Sequence, residues 1–153
     1  TIIEKIEKDE KIKVDEKAKE ALFNISEGDV RKVENILQSS AAITSNITDE
    51  VIYSMASVAK PKEVDEVLKL ALQNKFIDAR NKLMDIMLNY GLSGLDIIKQ
   101  IQQEILNLDL NNESKMLLME KCGEIEFRMT EGSDEFIQLE ALLSQFVLYG
   151  AKK

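Results

Sequence analysis

Apolar residues recur at intervals of three and four along the chain, the spacing that places them on one face of an α-helix. In the first part of the chain this pattern predicts four helices, over residues 2–10, 14–25, 29–42 and 48–57. The second of them carries a clean apolar stripe that starts at Val14. Together the four helices predict a small bundle with a shared core.

The single proline of the chain marks a predicted domain boundary. Proline suits the first turn of a helix and disfavours helix in the residue before it, so a break is expected just upstream of Pro61. We therefore predict one domain over residues 1–59 and a second over residues 60–153, joined by a short linker.

Five further helices are predicted after this boundary. Gly91 occupies the position of a left-handed helix cap, and Ser93 with Asp96 forms a variant capping box for the helix that follows. The last two helices, over about residues 113–130 and after Ser133, carry apolar residues on more than one face. Such breadth predicts either burial on several sides or contact with another subunit.

The turn between the second and third helices holds the candidate chemistry of the first domain. Gly28 breaks the chain, and Asp29 can accept the backbone N–H groups that are free at the start of a helix. Arg31 then lies in the first turn and points away from the core. A guanidinium beside an electropositive helix start suits phosphate. The core-facing residues predicted for this helix are Val30, Val33 and Leu37.

Composition excludes several function classes. The chain has no histidine, which removes histidine acid–base chemistry, catalytic triads and the usual zinc sites. Neighbouring carboxylates such as Glu124 and Glu126 lack a second cluster, so no metal site and no catalytic residue are predicted. The lone Cys122 excludes an internal disulfide and, in an apolar helical run, is expected to be a buried inert thiol.

Charge and hydropathy bear on the partners. The net charge of −8 argues against nucleic acid as the main direct partner, although a small basic patch within an acidic total stays an alternative. No apolar run approaches the length of a membrane span, and no secretory signal is visible. The chain starts at Thr1 within a helical pattern and without methionine, which favours a fragment of a longer protein.

The segment Gly28-Asp29-Val30-Arg31-Lys32 resembles the lid signature of clamp-loader AAA+ ATPases, in the replication factor C small-subunit family. In that family the arginine of the Gly-Asp-x-Arg motif is the sensor-2 residue, which reaches the phosphates of ATP, and Arg31 occupies that position. The family more often has methionine where this chain has Val30, and an apolar residue where it has Glu34. Neither departure touches the arginine.

The second half is similar to the same family. Gly91-Leu92-Ser93-Gly94 followed by Asp96 resembles its collar turn, and Ile137-Gln138-Leu139-Glu140-Ala141-Leu142-Leu143 resembles its last collar helix. The resemblance covers nearly the whole chain, in order. It implies an all-α fold, with an AAA+ lid bundle over residues 1–59 and a five-helix collar bundle over residues 60–153.

The resemblance also implies a function for the longer protein. The chain carries no phosphate loop, acidic metal-binding strand motif or arginine-finger motif, which in the family precede the lid. The fragment is therefore expected to hydrolyse nothing and hold no cofactor. The parent would use ATP and magnesium to load a sliding clamp on primer–template DNA, inside an archaeal cell or a eukaryotic nucleus.

The collar is expected to contact other clamp-loader subunits, small and large, or further copies of this chain. Four positions beside the apolar stripe of the last helix are the candidate contacts: Gln138, Glu140, Gln145 and Tyr149. The alternative is a stand-alone helical adaptor, in which the resemblance reflects a common helical architecture.

Overall fold

Nine α-helices and two short strands make up residues 1–151, the part of the chain that this computed structural model describes. The all-α prediction is confirmed. The chain divides into two units, Thr1–Val58 and a second that begins at Ala59. This division lies one residue before the predicted boundary.

The first unit contains four helices and two short strands. The helices pack around a core to which Leu22, Leu37, Ile47 and Ile52 contribute fully buried side chains. In chain order the elements are α1 (Ile2–Glu10), β1 (Lys13–Val14), α2 (Glu16–Ser26), α3 (Val30–Ala41), β2 (Asn46–Ile47) and α4 (Asp49–Met55).

The prediction that Val14 opens the second helix is wrong. Val14 is buried as its apolar character suggests, but it lies in β1. The helix begins two residues later, because the Asp15 carboxylate accepts a 2.7 Å hydrogen bond from the N–H of Ala18 and caps α2. A capped start at Asp15 leaves Val14 extended and free to pair with another strand.

The two strands pair in parallel, with Lys13 opposite Asn46 and Val14 opposite Ile47. The N–H groups that point away from this pairing are also used. The N–H of Val14 donates to Oε1 of Glu7 at 2.8 Å, and the N–H of Asn46 donates to Oγ1 of Thr44 at 3.2 Å. Side chains of the first unit therefore satisfy both donors.

The second unit is a bundle of five helices within the described residues, as predicted. Its central helix α7 packs against α5, α8 and α9, and it buries Ile97, Ile98, Ile101 and Ile105. The helices are α5 (Pro61–Leu72), α6 (Phe76–Tyr90), α7 (Gly94–Ile105), α8 (Asn112–Thr130) and α9 (Glu135–Gly150).

The predicted helix ends of this unit are confirmed. Pro61 occupies the first turn of α5, Gly91 ends α6 in the left-handed conformation at φ 64°, and Ser93 with Asp96 forms a capping box at the start of α7. The C-terminal ends of α5 and α9 meet so closely that a Cβ at Gly150 would overlap the backbone of Leu72.

Candidate functional site

A left-handed turn separates α2 from α3, and the candidate sensing residue Arg31 lies in the first turn of α3. Glu27 and Gly28 both have positive φ, 52° and 86°, which reverses the chain within two residues. Asp29 is then extended, and its Oδ1 accepts from the N–H of Arg31 at 3.0 Å and of Lys32 at 3.4 Å. The capping role predicted for Asp29 is confirmed.

The Arg31 side chain is exposed to solvent, as its position in the first turn predicted. Among the described residues it forms no ion pair, so its guanidinium is available to a ligand or partner. Two backbone N–H groups at the start of α3 are not available to a ligand, because the Asp29 carboxylate already accepts their hydrogen bonds. An anion at this helix start would therefore be held by the guanidinium more than by the backbone.

Val30 does not face the core, which corrects the prediction. It is the first residue of α3 and is 48% exposed, whereas Val33 is half-buried and Leu37 is fully buried. The inward face of α3 continues through Ile36 and Ser40 instead, and the first turn projects beyond the bundle. Val30 and Arg31 consequently share an exposed surface, half apolar and half cationic.

The second unit leaves large apolar side chains outside its core. Three of its helices each expose two such residues eleven positions apart, a spacing that returns to the same helix face after three turns of 3.6 residues. The pairs are Ile77 and Leu88 on α6, Met116 and Phe127 on α8, and Ile137 and Leu148 on α9. We call these six residues the outer apolar set.

A groove lies beside one member of this set. It has a volume of about 390 Å³ and is formed between the end of α6 and the start of α9. Leu88, which is 81% exposed, and Phe136, which is 44% exposed, form its rim. The other lining residues are Met84, Met87, Gly91 and Leu92. Its floor and rim are therefore almost wholly apolar.

The four candidate contact residues of α9 do not form one surface. Gln138, Gln145 and Tyr149 are half-buried and share a helix face, whereas Glu140 lies on the other side of the helix. The Glu140 carboxylate accepts a 2.6 Å hydrogen bond from Nε of Arg80 on α6 and thus holds its own bundle together. Sequence reasoning missed Ile137 and Leu148, although the breadth of the apolar pattern on α9 was the signal for them.

Cys122 lies on the buried side of α8 and is 2% exposed. Burial raises the pKa of its thiol to about 12. The thiol therefore stays protonated at neutral pH and is a poor nucleophile, as the sequence predicted.

No helix within residues 1–151 is long and apolar enough to cross a membrane. No group of three or more acidic or cysteine side chains in the same residues is arranged to hold a metal ion.

The fold defines the chain as an all-α protein of two helical bundles, the second of them with an unusually apolar exterior. Residues 59–145 match the family described as the Replication factor C C-terminal domain, which is more than half of the chain. The chain belongs to the replication factor C family.

Similar proteins extend the match to the first unit. The chain is 45% identical over its whole length to a replication factor C small subunit of Methanocella arvoryzae, and covers 48% of that protein. It is 46% identical over 149 residues to the small subunit of Sulfurisphaera tokodaii, covering 45% of it. The small subunit of Pyrococcus horikoshii is 45% identical over 148 residues, 17% of its length. The chain thus spans about half the length of the first two relatives.

Proposed function

We propose that this chain is the lid and collar portion of a clamp-loader small subunit. In this proposal the first unit is the AAA+ lid, which senses ATP bound to a preceding nucleotide-binding domain, and the second unit is the collar that assembles subunits. The family match carries the proposal, since it covers the second unit and the relatives cover both. The adaptor alternative assumes an accidental resemblance, and identity of 45% over the whole chain favours the clamp-loader proposal instead.

Arg31 is the proposed ATP sensor. Its exposed guanidinium stands at the tip of α3, beside the exposed Val30, where a preceding domain could cover both. A guanidinium binds phosphate oxygens through several N–H donors and keeps its charge at any physiological pH. Magnesium and ATP would be held by that domain, and the lid portion supplies the arginine alone.

The test of this role uses the full-length subunit that the proposal assumes. Arg31→Ala should lower its ATP hydrolysis about ten-fold or more, because an arginine that stabilises phosphate charge contributes that much or more in related sites. Lys32→Ala is the matched control, since Lys32 is an exposed cation one residue away. Equal activity of the Arg31→Ala protein and the control would remove Arg31 from the mechanism. An upstream coding sequence without a phosphate loop would remove the clamp-loader proposal itself.

The outer apolar set supports the assembly role of the second unit. A large contiguous apolar patch on a protein surface marks an interaction site, and we infer that a partner surface covers these six side chains. Ring-like assemblies use two different faces of each copy, and the apolar residues of α6, α8 and α9 supply more than one face. The partners would be other clamp-loader subunits or further copies of this chain, with the clamp and DNA reached through the preceding domain inside the cell.

Assembly can be measured on the chain itself. Light scattering over a range of concentrations should show association of the wild-type chain. The double change Ile137→Lys with Leu148→Lys should shift it to monomer, because two buried ammonium groups in an apolar contact are costly. Phe23→Lys is the control, since Phe23 is 76% exposed in the first unit. A strictly monomeric wild-type chain, or equal association of all three proteins, would contradict the assembly role of α9.

A further inference from the structure

Hydrogen bonds fix the backbone on both sides of the peptide bond between Val58 and Ala59. On the first side, α4 ends in a Schellman motif, in which the chain turns through a left-handed residue. Ser57 takes that conformation at φ 56°, and its N–H donates to the carbonyl oxygen of Ser54 at 3.2 Å. The N–H of Val58 donates to the carbonyl oxygen of Tyr53 at 3.1 Å. The backbone of the first unit is therefore fixed up to the nitrogen of Val58.

On the second side, Gln100 holds the backbone of Ala59. The N–H of Ala59 donates to Oε1 of Gln100 at 2.7 Å, and Nε2 of Gln100 donates back to the carbonyl oxygen of Ala59 at 2.9 Å. Ala59 is fully buried, so water does not compete for these two bonds. Gln100 belongs to α7, the central helix of the second unit. The primary amide thus pairs with Ala59 as a neighbouring strand would.

Few rotatable bonds remain between the nitrogen of Val58 and the nitrogen of Ala59, which are both held by hydrogen bonds. The peptide bond between Val58 and Ala59 is planar and does not rotate freely. The bonds on either side of the Cα of Val58 are the only soft torsions between the last atom held by the first unit and the first atom held by the second. Val58 is also β-branched, which restricts its backbone further than most residues.

We propose that Gln100 is the positioning residue that fixes the backbone of Ala59, so that φ and ψ of Val58 are the only backbone torsions left free at the junction. Without Gln100 the torsions of Ala59 would also be free, and the free segment would be two residues long. This inference uses only the covalent junction and the bonds on each side of it, so it does not rest on the proposed function.

The freedom of φ and ψ at Val58 is tested by residual dipolar couplings of the complete 153-residue chain in a weakly aligning medium. Each unit gives its own alignment, and greater freedom of turning makes the two alignments more unequal. Val58→Gly should increase their ratio about two-fold, because glycine opens most of φ/ψ space. Val58→Ile is the matched control, since it keeps the β-branch and should leave the ratio unchanged. Equal ratios in the glycine and isoleucine variants would overturn the proposal.

Gln100 is tested by amide hydrogen exchange. The rate for Ala59 is divided by the rate for the buried amide of Ile105, so that a general loss of stability cancels. Gln100→Ala should raise this ratio roughly ten-fold, because the protecting bond is lost. Gln100→Glu keeps the acceptor oxygen and should raise it much less, and Gln103→Ala, an exposed residue of the same helix, should not raise it. An unchanged ratio in Gln100→Ala would overturn the assigned role.

Discussion

At the scale of single residues, several positions hold conformations that their side chains do not favour. Lys11, Glu27 and Ser57 all have positive φ although none is glycine. Lys11 and Glu27 end helices α1 and α2, and Ser57 turns the chain just after α4. The left-handed conformation costs about 1 kcal/mol or more for a residue with a Cβ. These turns are therefore sites where glycine would improve the fold.

Lys11→Gly should stabilise the first unit by about 1 kcal/mol, because Lys11 is exposed and its φ of 56° costs glycine nothing. The measurement is the urea midpoint of the purified chain. Lys13→Gly removes the same charge from an exposed, extended position in β1 and should destabilise instead. Destabilisation by both changes would show that the left-handed turn carries no strain.

The carboxyl of Glu104 makes the free energy of unfolding depend on pH. Burial raises the pKa of its carboxyl, and the nearby Asp65 raises it further, against a hydrogen bond from Asn107. The folded chain thus binds this proton more tightly than the unfolded chain. The resulting stability is fully present below the unfolded pKa and is lost as pH rises through the folded pKa.

Glu104→Gln should therefore gain stability over the wild-type chain as pH rises through the pKa of the Glu104 carboxyl, which lies above the ordinary glutamate value. Thermal melts at several pH values measure the gain. Glu120→Gln, at an exposed position of α8, is the matched control for the loss of one carboxylate. A difference between Glu104→Gln and wild type that does not change with pH would contradict the linkage.

At the scale of elements, two glycines in helices have opposite surroundings. A Cβ at Gly150 would overlap the carbonyl group of Leu72, where α9 meets α5. A Cβ at Gly123, in the middle of α8, would meet nothing within 4 Å. The first glycine is required by close packing, whereas the second only lowers the helix propensity of α8.

Gly150→Ala should destabilise the second unit by about 1–3 kcal/mol, because either the last turn of α9 unwinds or α5 and α9 separate. Gly123→Ala should stabilise it by about 1 kcal/mol through helix propensity alone. Chemical denaturation of the two variants measures both effects. An equal change of either sign would show that the contact at Leu72 does not constrain the helix pair.

The helix ends could be predicted from the sequence, whereas the strand pair and the outward side of α9 could not. Helix ends at Asp29, Gly91 and Ser93 carry local signals, and all three behave as expected. The pairing of β1 with β2 left no such signal, because each strand has two residues and the partners are far apart in the chain. For α9 the apolar residues cover several faces, so the pattern indicated a wide surface without indicating which side stays outside.

At the scale of the whole molecule, each unit has its own buried core. The first contains the cluster around Leu22 and Leu37, and the second is built around the isoleucines of α7. The boundary between the units came within one residue of the position that Pro61 suggested. The role proposed for the first unit could not be read from periodicity and depends on the resemblance around Arg31.

A chain that begins at Val58 should fold by itself, because the core of the second unit and the Ala59 amide that donates to Gln100 are both retained. Circular dichroism should show a helical spectrum and one cooperative melt. A chain that begins at Pro61 lacks Ala59 and should melt at a lower temperature, because Gln100 loses its buried partner. A non-cooperative melt of the longer fragment would contradict the independence of the second core.

The short ladder in the first unit has a consequence for solubility. Strand edges with free donors are templates on which further chains polymerise as cross-β fibrils. Here Glu7 and Thr44 consume the outward N–H groups of Val14 and Asn46, so an incoming strand finds neither donor vacant. Neither outer edge of the strand pair therefore offers these donors to another chain, and at high concentration the two edges should not seed amyloid.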